Sequence, residues 1–342
     1  MESCKFLVFV CLAFWNAHVA NAIELKDNHF ALLDLDSSIA VTGSRSKSIN
    51  RFRLDIGYEK ALPSFFGDKD LYRHASYSLR YGRNASDFTG DAQGASNNDA
   101  DEYNKVNEIF MGTNLFSLFD IKLGTMDATN DFGAPENGSE FLNGPAGSSP
   151  TILGIPAFPT PKLGVVMQTE LDYLNFKIGR YSGGTNRLSL GDTFSIAELG
   201  LPIRQKGVFR FGFWRHTELE RNDATLGTVQ DVYGVLEYDF SDNVSGFFQY
   251  GTVDPSFSEI KRHWAHGVTF SPTSSGDIFG GIMMSHAKFR NEKEERLYEL
   301  FLSFPLKKRF SIKPSLTLIR RPFGNNESPE AIIFNVRLNL TL

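Results

Sequence analysis

The last twelve residues, Ala331-Ile-Ile-Phe-Asn-Val-Arg-Leu-Asn-Leu-Thr-Leu342, alternate between two kinds of side chain. Every even-numbered residue in this stretch is apolar, whereas the odd-numbered residues include Asn335, Arg337 and Asn339. Successive side chains of a β-strand point to opposite faces. The segment therefore predicts a strand with one apolar face and one polar face.

The same period of two recurs through most of the chain, for example at 72–82, 206–216 and 309–319. A soluble β-sandwich has a similar alternation. Here, however, the polar face repeatedly carries Arg, Lys and Glu, and aromatic residues stand at the predicted strand ends. Both features are typical of a membrane barrel with a wet lumen and aromatic girdles. The predicted fold class is all-β, a transmembrane antiparallel β-barrel with short periplasmic turns and long extracellular or inward-folded loops.

The alternation predicts fifteen strands, at 29–43, 50–60, 72–82, 105–115, 119–126, 163–173, 175–181, 206–216, 230–240, 244–253, 262–270, 276–288, 294–304, 309–319 and 330–341. Single-chain bacterial barrels have an even number of strands. We therefore predict about 16 strands, with the missing one at 43–50 or 186–200.

The N-terminus and the composition indicate the compartment and exclude several classes of protein. A short apolar run followed by Ala20-Asn21-Ala22 predicts a signal peptide at 1–22 and a single barrel domain at 23–342. Both cysteines lie in that leader, so thiolate chemistry and cysteine-based metal sites are excluded. The net charge of −5 argues against nucleic acid as a partner. The location predicted is the bacterial outer membrane.

Three long segments, 83–104, 127–162 and 182–205, separate predicted strands. Loops of this length are uncommon and often functional. The segment 127–162 combines carboxylates, amides and aromatics with several prolines, which stiffen a loop by fixing φ. A long, stiff loop is suited to folding into the lumen as a constriction, and a surface loop is the alternative.

Candidate site residues are polar side chains on the non-lipid face, at strand ends or in the long loop. Arg, Asn and Asp donate and accept the directed hydrogen bonds that sugar hydroxyls require. The predicted substrate-contacting or pore-lining residues are Arg80, Arg83, Asn130, Asp131, Asn143, Arg180 and Arg337.

Catalytic and metal-binding motifs are absent from the sequence. It contains no G-x-S-x-G, H-E-x-x-H or P-loop motif. His263 and His266 are three apart, which places them on opposite faces of a strand, so no metal site is predicted. An enzyme at the barrel mouth remains an alternative, and it would need an acid–His pair on adjacent strands.

Four stretches of the chain carry a family likeness. They are Tyr81-Gly82-Arg83-Asn84, then Lys122-Leu123-Gly124 through Asn130-Asp131-Phe132-Gly133 with Phe141-Leu142-Asn143, then Pro156–Gly164 ahead of Lys177-Ile178-Gly179-Arg180-Tyr181, and finally residues 295–342 with Arg321-Pro322-Phe323-Gly324. Together they resemble the carbohydrate-selective porin family, OprB, over roughly residues 50–342.

The resemblance implies a 16-stranded outer-membrane barrel that passes mono- and disaccharides by passive diffusion, without catalytic residues or a cofactor. The expected partners are small sugars and outer-membrane lipid, and the barrel is expected as a monomer or a homotrimer. A general diffusion porin without a sugar site is the main alternative.

Overall fold

The barrel is formed by sixteen antiparallel strands. The computed structural model describes residues 28–62, 71–116, 118–157, 159–183, 192–221, 224–272, 278–307 and 309–342. The strands are β1 His29–Thr42, β2 Arg45–Leu62, β3 Leu71–Gly82, β4 Tyr103–Leu115, β5 Phe119–Met126, β6 Lys162–Leu171, β7 Leu174–Ser182, β8 Thr193–Ile203, β9 Gly207–Arg221, β10 Ala224–Ser241, β11 Val244–Thr252, β12 Ile260–Phe270, β13 Phe279–Phe289, β14 Glu294–Lys307, β15 Phe310–Arg320 and β16 Ala331–Thr341. The predicted signal peptide lies outside the described residues.

Each strand pairs with its neighbours in sequence, and β1 pairs with β16 to close the barrel. The closing register sets Asp36 opposite Arg337 and Ile39 opposite Phe334. Because closure leaves no unpaired edge, every strand has a hydrogen-bonded neighbour on both sides. The predicted all-β barrel of 16 strands is confirmed.

Alternate residues of every strand face opposite sides of the wall. The outward set is apolar over most of its height, and Phe209, Phe211 and Phe213 of β9 are all exposed there. The inward set of the same strand contains Arg210 and Trp214. The alternation read from the sequence therefore separates the lipid-facing side from the lumen side.

The two ends of the barrel differ in their connections. One end, called here the loop end, carries the connections that follow the odd-numbered strands, among them 43–44, 83–102, 127–161, 253–259, 290–293 and 321–330. The opposite end, called the turn end, carries the connections that follow the even-numbered strands, among them 172–173, 204–206 and 242–243. The predicted long loops at 83–104 and 127–162 are confirmed.

The predicted loop at 182–205 is wrong, because it contains β8, the sixteenth strand. Its sequence hides the alternation because both faces are largely apolar. Ala197 and Leu199 face outward, while Phe194 and Ile196 face inward and are buried among residues of the long loop. A strand that is apolar on both faces loses the period-two signal. β8 overlaps one of the two positions predicted for the missing strand, 186–200. The other position, 43–50, holds the connection 43–44 and the start of β2.

No described helix is long and apolar enough to cross a membrane.

Candidate functional site in the lumen

Two long connections at the loop end fold back into the barrel. The first, 83–102, contains the short helix α1 (Ser86–Thr89). The second, 127–161, contains a 3₁₀ turn (Ala128–Asn130) and the helices α2 (Glu136–Ser139) and α3 (Gly144–Gly147). The two loops touch, since Gly144 N donates to Gly94 O at 3.0 Å. They determine which part of the inner wall stays open.

Four inward glutamates, called here the glutamate anchors, hold the loop 127–161 along the wall. Glu108, Glu198 and Glu237 accept hydrogen bonds from the backbone N–H groups of Asp127, Gly133 and Asn137, at 2.8, 3.1 and 2.9 Å. Glu299, the fourth anchor, accepts from Leu142 N at 2.8 Å and from Asn143 N at 2.9 Å. Carboxylates bind backbone N–H groups strongly, so anchors on β4, β8, β10 and β14 fix the path of the loop.

Aromatic side chains of the loop fill hollows above glycines of the wall. A Cβ atom added to Gly179 would lie 2.8 Å from the Phe132 ring, and one added to Gly281 would lie 2.7 Å from the Phe141 ring. Phe141 also meets Phe301 edge to face, with 5.0 Å between ring centroids. The loop is therefore packed against the wall as well as hydrogen bonded to it.

The first loop is held through a buried network around Arg337. The guanidinium donates two bonds to Asp36, at 2.7 and 2.9 Å, and one to Asn97 Oδ1 at 2.9 Å. Arg51 reaches Asp36 at 3.8 Å and also pairs with Asp99 of the loop. A bidentate pair fixes orientation as well as distance. The network therefore ties the loop 83–102 to the seam where β1 meets β16.

Two buried carboxyl groups of this region accept hydrogen bonds from backbone N–H groups of the loop 83–102. Glu295 accepts from Ala92 N at 3.0 Å, and Asp91 accepts from Gly94 N at 2.8 Å. Burial raises the pKa of Asp91, while hydrogen bonds from Thr89, Gly94 and Ser86 oppose the rise. These contacts order the loop and leave neither carboxyl group facing the lumen.

Three of the predicted pore-lining residues are buried and structural. Arg80 is fully buried and donates to Asn84 Oδ1 at 3.0 Å and to Ala100 O. Asn143 caps α3 by accepting from Ala146 N at 3.0 Å, and its amide donates to Glu299 at 2.6 Å. The guanidinium of Arg337 binds Asp36 and Asn97 in the network described above. Their polar groups hold loops in place, and this corrects the prediction that they line the open lumen.

Three other predicted residues lie on or near open space. Asn130 is exposed at the inner rim of the long loop, and its amide donates to Glu108 at 3.3 Å. Asp131 is mostly buried and pairs with Lys122 Nζ at 2.6 Å. Arg83 is exposed just beyond β3, at the loop end. The structure therefore brings Asn130 and Asp131 together and leaves Arg83 apart from them.

Arg180 lies on the outer face of the barrel, which corrects its predicted place in the lumen. It pairs across β6 with Val165, an exposed outward residue, and it shares a face of β7 with exposed Ile178. The inward neighbours of Arg180 are Gly179, which lies against the Phe132 ring, and buried Tyr181. The sequence did contain the signal, because positions 174, 176 and 178 are apolar and Arg180 follows in the same parity.

A group of inward aromatic residues at the turn end, called here the aromatic patch, was not predicted. It consists of Phe30, Tyr72, His74 and Phe110, all partly exposed on the inner wall of β1, β3 and β4. The His74 ring stacks on Phe110 with 4.7 Å between centroids, and on Phe30 with 5.7 Å.

Two glycines let rings of the patch lie against the wall. A Cβ atom on Gly57 would come within 2.2 Å of the Phe30 ring, and one on Gly112 within 2.2 Å of the Tyr72 ring. Each ring therefore occupies the space directly over its glycine on the neighbouring strand. This leaves the opposite side of each ring turned towards the lumen.

Hydrogen-bonding groups surround the aromatic patch. Asp120 accepts from Gln168 Nε2 at 2.9 Å and lies 3.4 Å from the Tyr72 hydroxyl. The Lys122 ammonium lies 5.8 Å from the centre of the Phe110 ring while it pairs with Asp131. Cations are attracted to aromatic faces at this distance. Lys122 therefore joins the patch to the rim of the loop 127–161 and completes the candidate site.

Comparison with known proteins gives matches among solved structures. The high-pH structure of Pseudomonas putida OprB has a TM-score of 0.76 at 12% identity, covering 92% of this chain and 94% of that chain. A triple mutant of Rhodopseudomonas blastica porin has a TM-score of 0.59 at 10% identity, covering 92% of this chain and 100% of that chain. No family model and no curated protein matches.

The fold is that of a sixteen-stranded porin. At these identities the likeness concerns the architecture alone, and the low-pH structure of Pseudomonas putida OprB gives a lower TM-score of 0.59 at 11% identity over 92% of this chain and 93% of that chain. The candidate site lies on the part of the inner wall that the two inward loops leave open.

Acid–His pairs do occur in this porin fold, on adjacent strands. Glu59 Oε2 lies 3.1 Å from His74 Nδ1 in the lumen, and Glu294 Oε2 lies 2.8 Å from His286 Nε2 on the outer face. Among the described residues, no hydroxyl group is hydrogen bonded to either of these two histidines. The described residues also hold no group of three or more His, Cys, Asp or Glu that could bind a metal.

The serine–histidine contacts of the barrel lie in its interior. His263 lies between Ser149 Oγ at 3.0 Å and Ser285 Oγ at 2.8 Å. All three residues are buried, and the Ser285 hydroxyl also donates a hydrogen bond to Gln93 of the first loop. A substrate cannot reach these buried, hydrogen-bonded side chains, which instead link both inward loops to β12 and β13.

Proposed function

We propose that the barrel is an outer-membrane pore through which small carbohydrates diffuse passively. The observation that carries this proposal is the aromatic patch, beside charged and amide groups on the open part of the lumen wall. A sugar has a face of C–H groups that stacks on an aromatic ring and a rim of hydroxyls that hydrogen bonds.

The pore would bind sugars weakly enough to release them. Tyr72 and Phe110 would offer ring surface, while Asp120 and Lys122 would exchange hydrogen bonds with hydroxyls that have lost water. The motifs that resemble the carbohydrate-selective porins support this proposal, as does the OprB-like architecture. Conduction requires binding that is favourable on entry and weak enough for exit.

A general diffusion pore is the second candidate, and paired charges of both signs favour it. Lys313 Nζ lies 3.3 Å from Glu140 Oε2, and Lys122 Nζ lies 2.6 Å from Asp131 Oδ1. Such pairs give the lumen hydrogen-bonding capacity for many small solutes without a dedicated sugar site.

Single-channel current in planar bilayers separates the two functions. We expect glucose and maltose to block the current more than glycerol at equal concentration. Tyr72→Ala should weaken the block about fivefold, because a lost stacking contact costs about 1 kcal/mol. Tyr250→Ala is the matched control, since Tyr250 faces outward and pairs with Trp264 on the outer wall.

Equal block by the sugars and glycerol would contradict the sugar preference and leave the general pore. A purified barrel that carries no current at all would contradict both candidates.

A further inference from the structure

Four side chains with hydrogen-bond donors form one row on the outer face near the loop end. Arg180 of β7 pairs with Ser195 of β8, Ser195 with Arg215 of β9, and Arg215 with Gln230 of β10. Directly paired residues of neighbouring strands point to the same face. We call this outward set the donor row.

The two arginines of the donor row have no acidic partner among the residues whose side chains the structure describes. Both are exposed, and no ion pair joins either to a described residue. Among the outward positions in the described pairing of β6 with β7, β7 with β8 and β8 with β9, Arg180 and Arg215 are the only charged side chains. Glu218, at the bulge of β9, lines a pocket with Gly154 and Lys162 instead.

The donor row marks the border of the apolar band. One step towards the turn end on the same face lie Ile178 and Phe213, each 43% exposed. At the turn end of these strands the outward residues are apolar, including Leu201, Phe209 and Phe240. Within these strands, the outward positive charge therefore lies at the loop-end border of the band, and the cations at the other end, Arg204 and Lys206, lie in the turn beyond the strands.

The spacing of the donor row suits a phosphate group. Neighbouring strands lie about 4.8 Å apart, so the backbones of Arg180 and Arg215 are about 10 Å apart with Ser195 between them. Two guanidinium groups can converge across that gap, and guanidinium binds phosphate in a bidentate manner. The Ser195 hydroxyl and the Gln230 amide can add donors from the same row.

We propose that the donor row binds a phosphate group of a lipid headgroup in the outer leaflet, that of a phosphorylated glycolipid such as lipid A. The proposal rests on the outer-membrane location given under the proposed function, which sets the loop end in the outer leaflet. Lipid at this height supplies the anionic partner that the two arginines lack.

Other cations farther round the same rim have carboxylate partners, although exposed Arg262 of β12 has no ion pair with a described residue. Arg296 lies 2.7 Å from Glu294, and Arg320 lies 2.9 Å from Glu330. In the connection 290–293 between β13 and β14, hydrogen bonds from Lys261 and Lys288 lower the pKa of Glu292 to about 2. This carboxylate is therefore charged at neutral pH beside both ammonium groups. These cations already have carboxylate partners, which makes Arg320 a suitable control.

Native mass spectrometry of the purified full-length barrel in detergent tests the proposal. Diphosphoryl lipid A is titrated against the wild type, the double variant Arg180→Gln/Arg215→Gln and the control Arg320→Gln. We expect the double variant to bind lipid A at least fivefold more weakly and the control to stay within twofold of the wild type. Lipid A without its phosphates should bind equally weakly to all three.

Two results would overturn the proposal. One is unchanged affinity for lipid A in the double variant, and the other is equal binding of lipid A with and without phosphates. Phosphatidylglycerol is titrated against the wild type in a separate experiment. If it binds as tightly as lipid A, the assignment of the donor row to the glycolipid is overturned. Single-channel current is measured on the same samples, and the double substitution should leave it unchanged because both arginines lie outside the lumen. Failure of the pore function therefore shows in the current and not in the lipid titration.

Discussion

Two parts of the inner wall are built by the same alternation and have opposite characters. Under the loop 127–161, the inward side chains Phe194, Trp214 and Tyr233 are fully buried and pack like the core of a soluble domain. At the turn end of β1–β6, the aromatic patch is partly exposed beside hydrogen-bonding groups. The difference shows that an inward face of a barrel becomes core or lumen according to where the loops reach.

Glycines serve the two parts in different ways. Under the loop, Gly179 and Gly281 leave hollows for aromatic rings that come from the loop. In the open part, Gly57 and Gly112 leave room for rings of the wall itself. Loop aromatics therefore close one region, while wall aromatics line the other.

The largest effect on stability is expected for a substitution at Phe141, in the part of the inner wall that the loop 127–161 covers. Phe141→Ala should lower the free energy of unfolding by about 4 kcal/mol, because a buried phenylalanine leaves a cavity. It should also raise single-channel conductance, since the loop loses its seat on Phe301 and Phe247. Thermal unfolding and bilayer recordings measure the two effects.

Phe248→Ala is the control for this substitution, because Phe248 lies on the outer face. If both variants lose equal stability with unchanged conductance, the packing of Phe141 against Phe301 and Phe247 does not hold the loop in place.

A smaller loss is expected when a glutamate anchor is removed. Glu299→Ala leaves the N–H groups of Leu142 and Asn143 without their acceptor and should cost about 3 kcal/mol. Glu299→Gln keeps one acceptor oxygen and should cost less than half of that. Denaturant unfolding compares the two variants, and equal losses would show that the anchor contributes through packing and not through hydrogen bonding.

The smallest effect concerns the boundary between the two parts, at Asp131. Asp131→Asn removes the charge that balances Lys122, so the lumen should shift towards anions by about twofold in permeability ratio. Reversal potentials in a salt gradient measure the shift. Arg180→Gln is the matched single-charge control and should leave the ratio unchanged, because Arg180 lies outside the lumen. A shift of similar size towards cations in Arg180→Gln would contradict the assigned faces.

Much of the fold follows from period and parity. The alternation predicts fifteen strands directly, and it gives β8 only as one of two candidate positions, 186–200, because β8 is apolar on both faces. The outward position of Arg180 could also have been read from parity, since it continues the apolar series of β7. A charged side chain predicts a position in the lumen, and for Arg180 that prediction is wrong. The donor row shows that charge at the border of the apolar band can face outward.

The site could be predicted only in part, because its neighbours are distant in sequence. Asn130 and Asp131 were predicted from the composition of the loop, and they do reach the inner rim beside Lys122. The aromatic patch was missed because Phe30, Tyr72 and Phe110 lie on three different strands. No local pattern marks residues that meet only across paired strands.

The sequence by itself determined that alternate residues would form two faces and that the long segments 83–104 and 127–162 would interrupt the strands, whereas the third long segment predicted, 182–205, contains β8. That result depends on the local geometry of a strand, which any stretch of backbone carries with it. Only the tertiary structure decided which inward residues remain open. The anchor Glu299 binds Asn143 across 156 positions of the chain. Such a contact exists only after the barrel has closed and the loop has folded into it, because only closure brings the two groups within hydrogen-bonding distance.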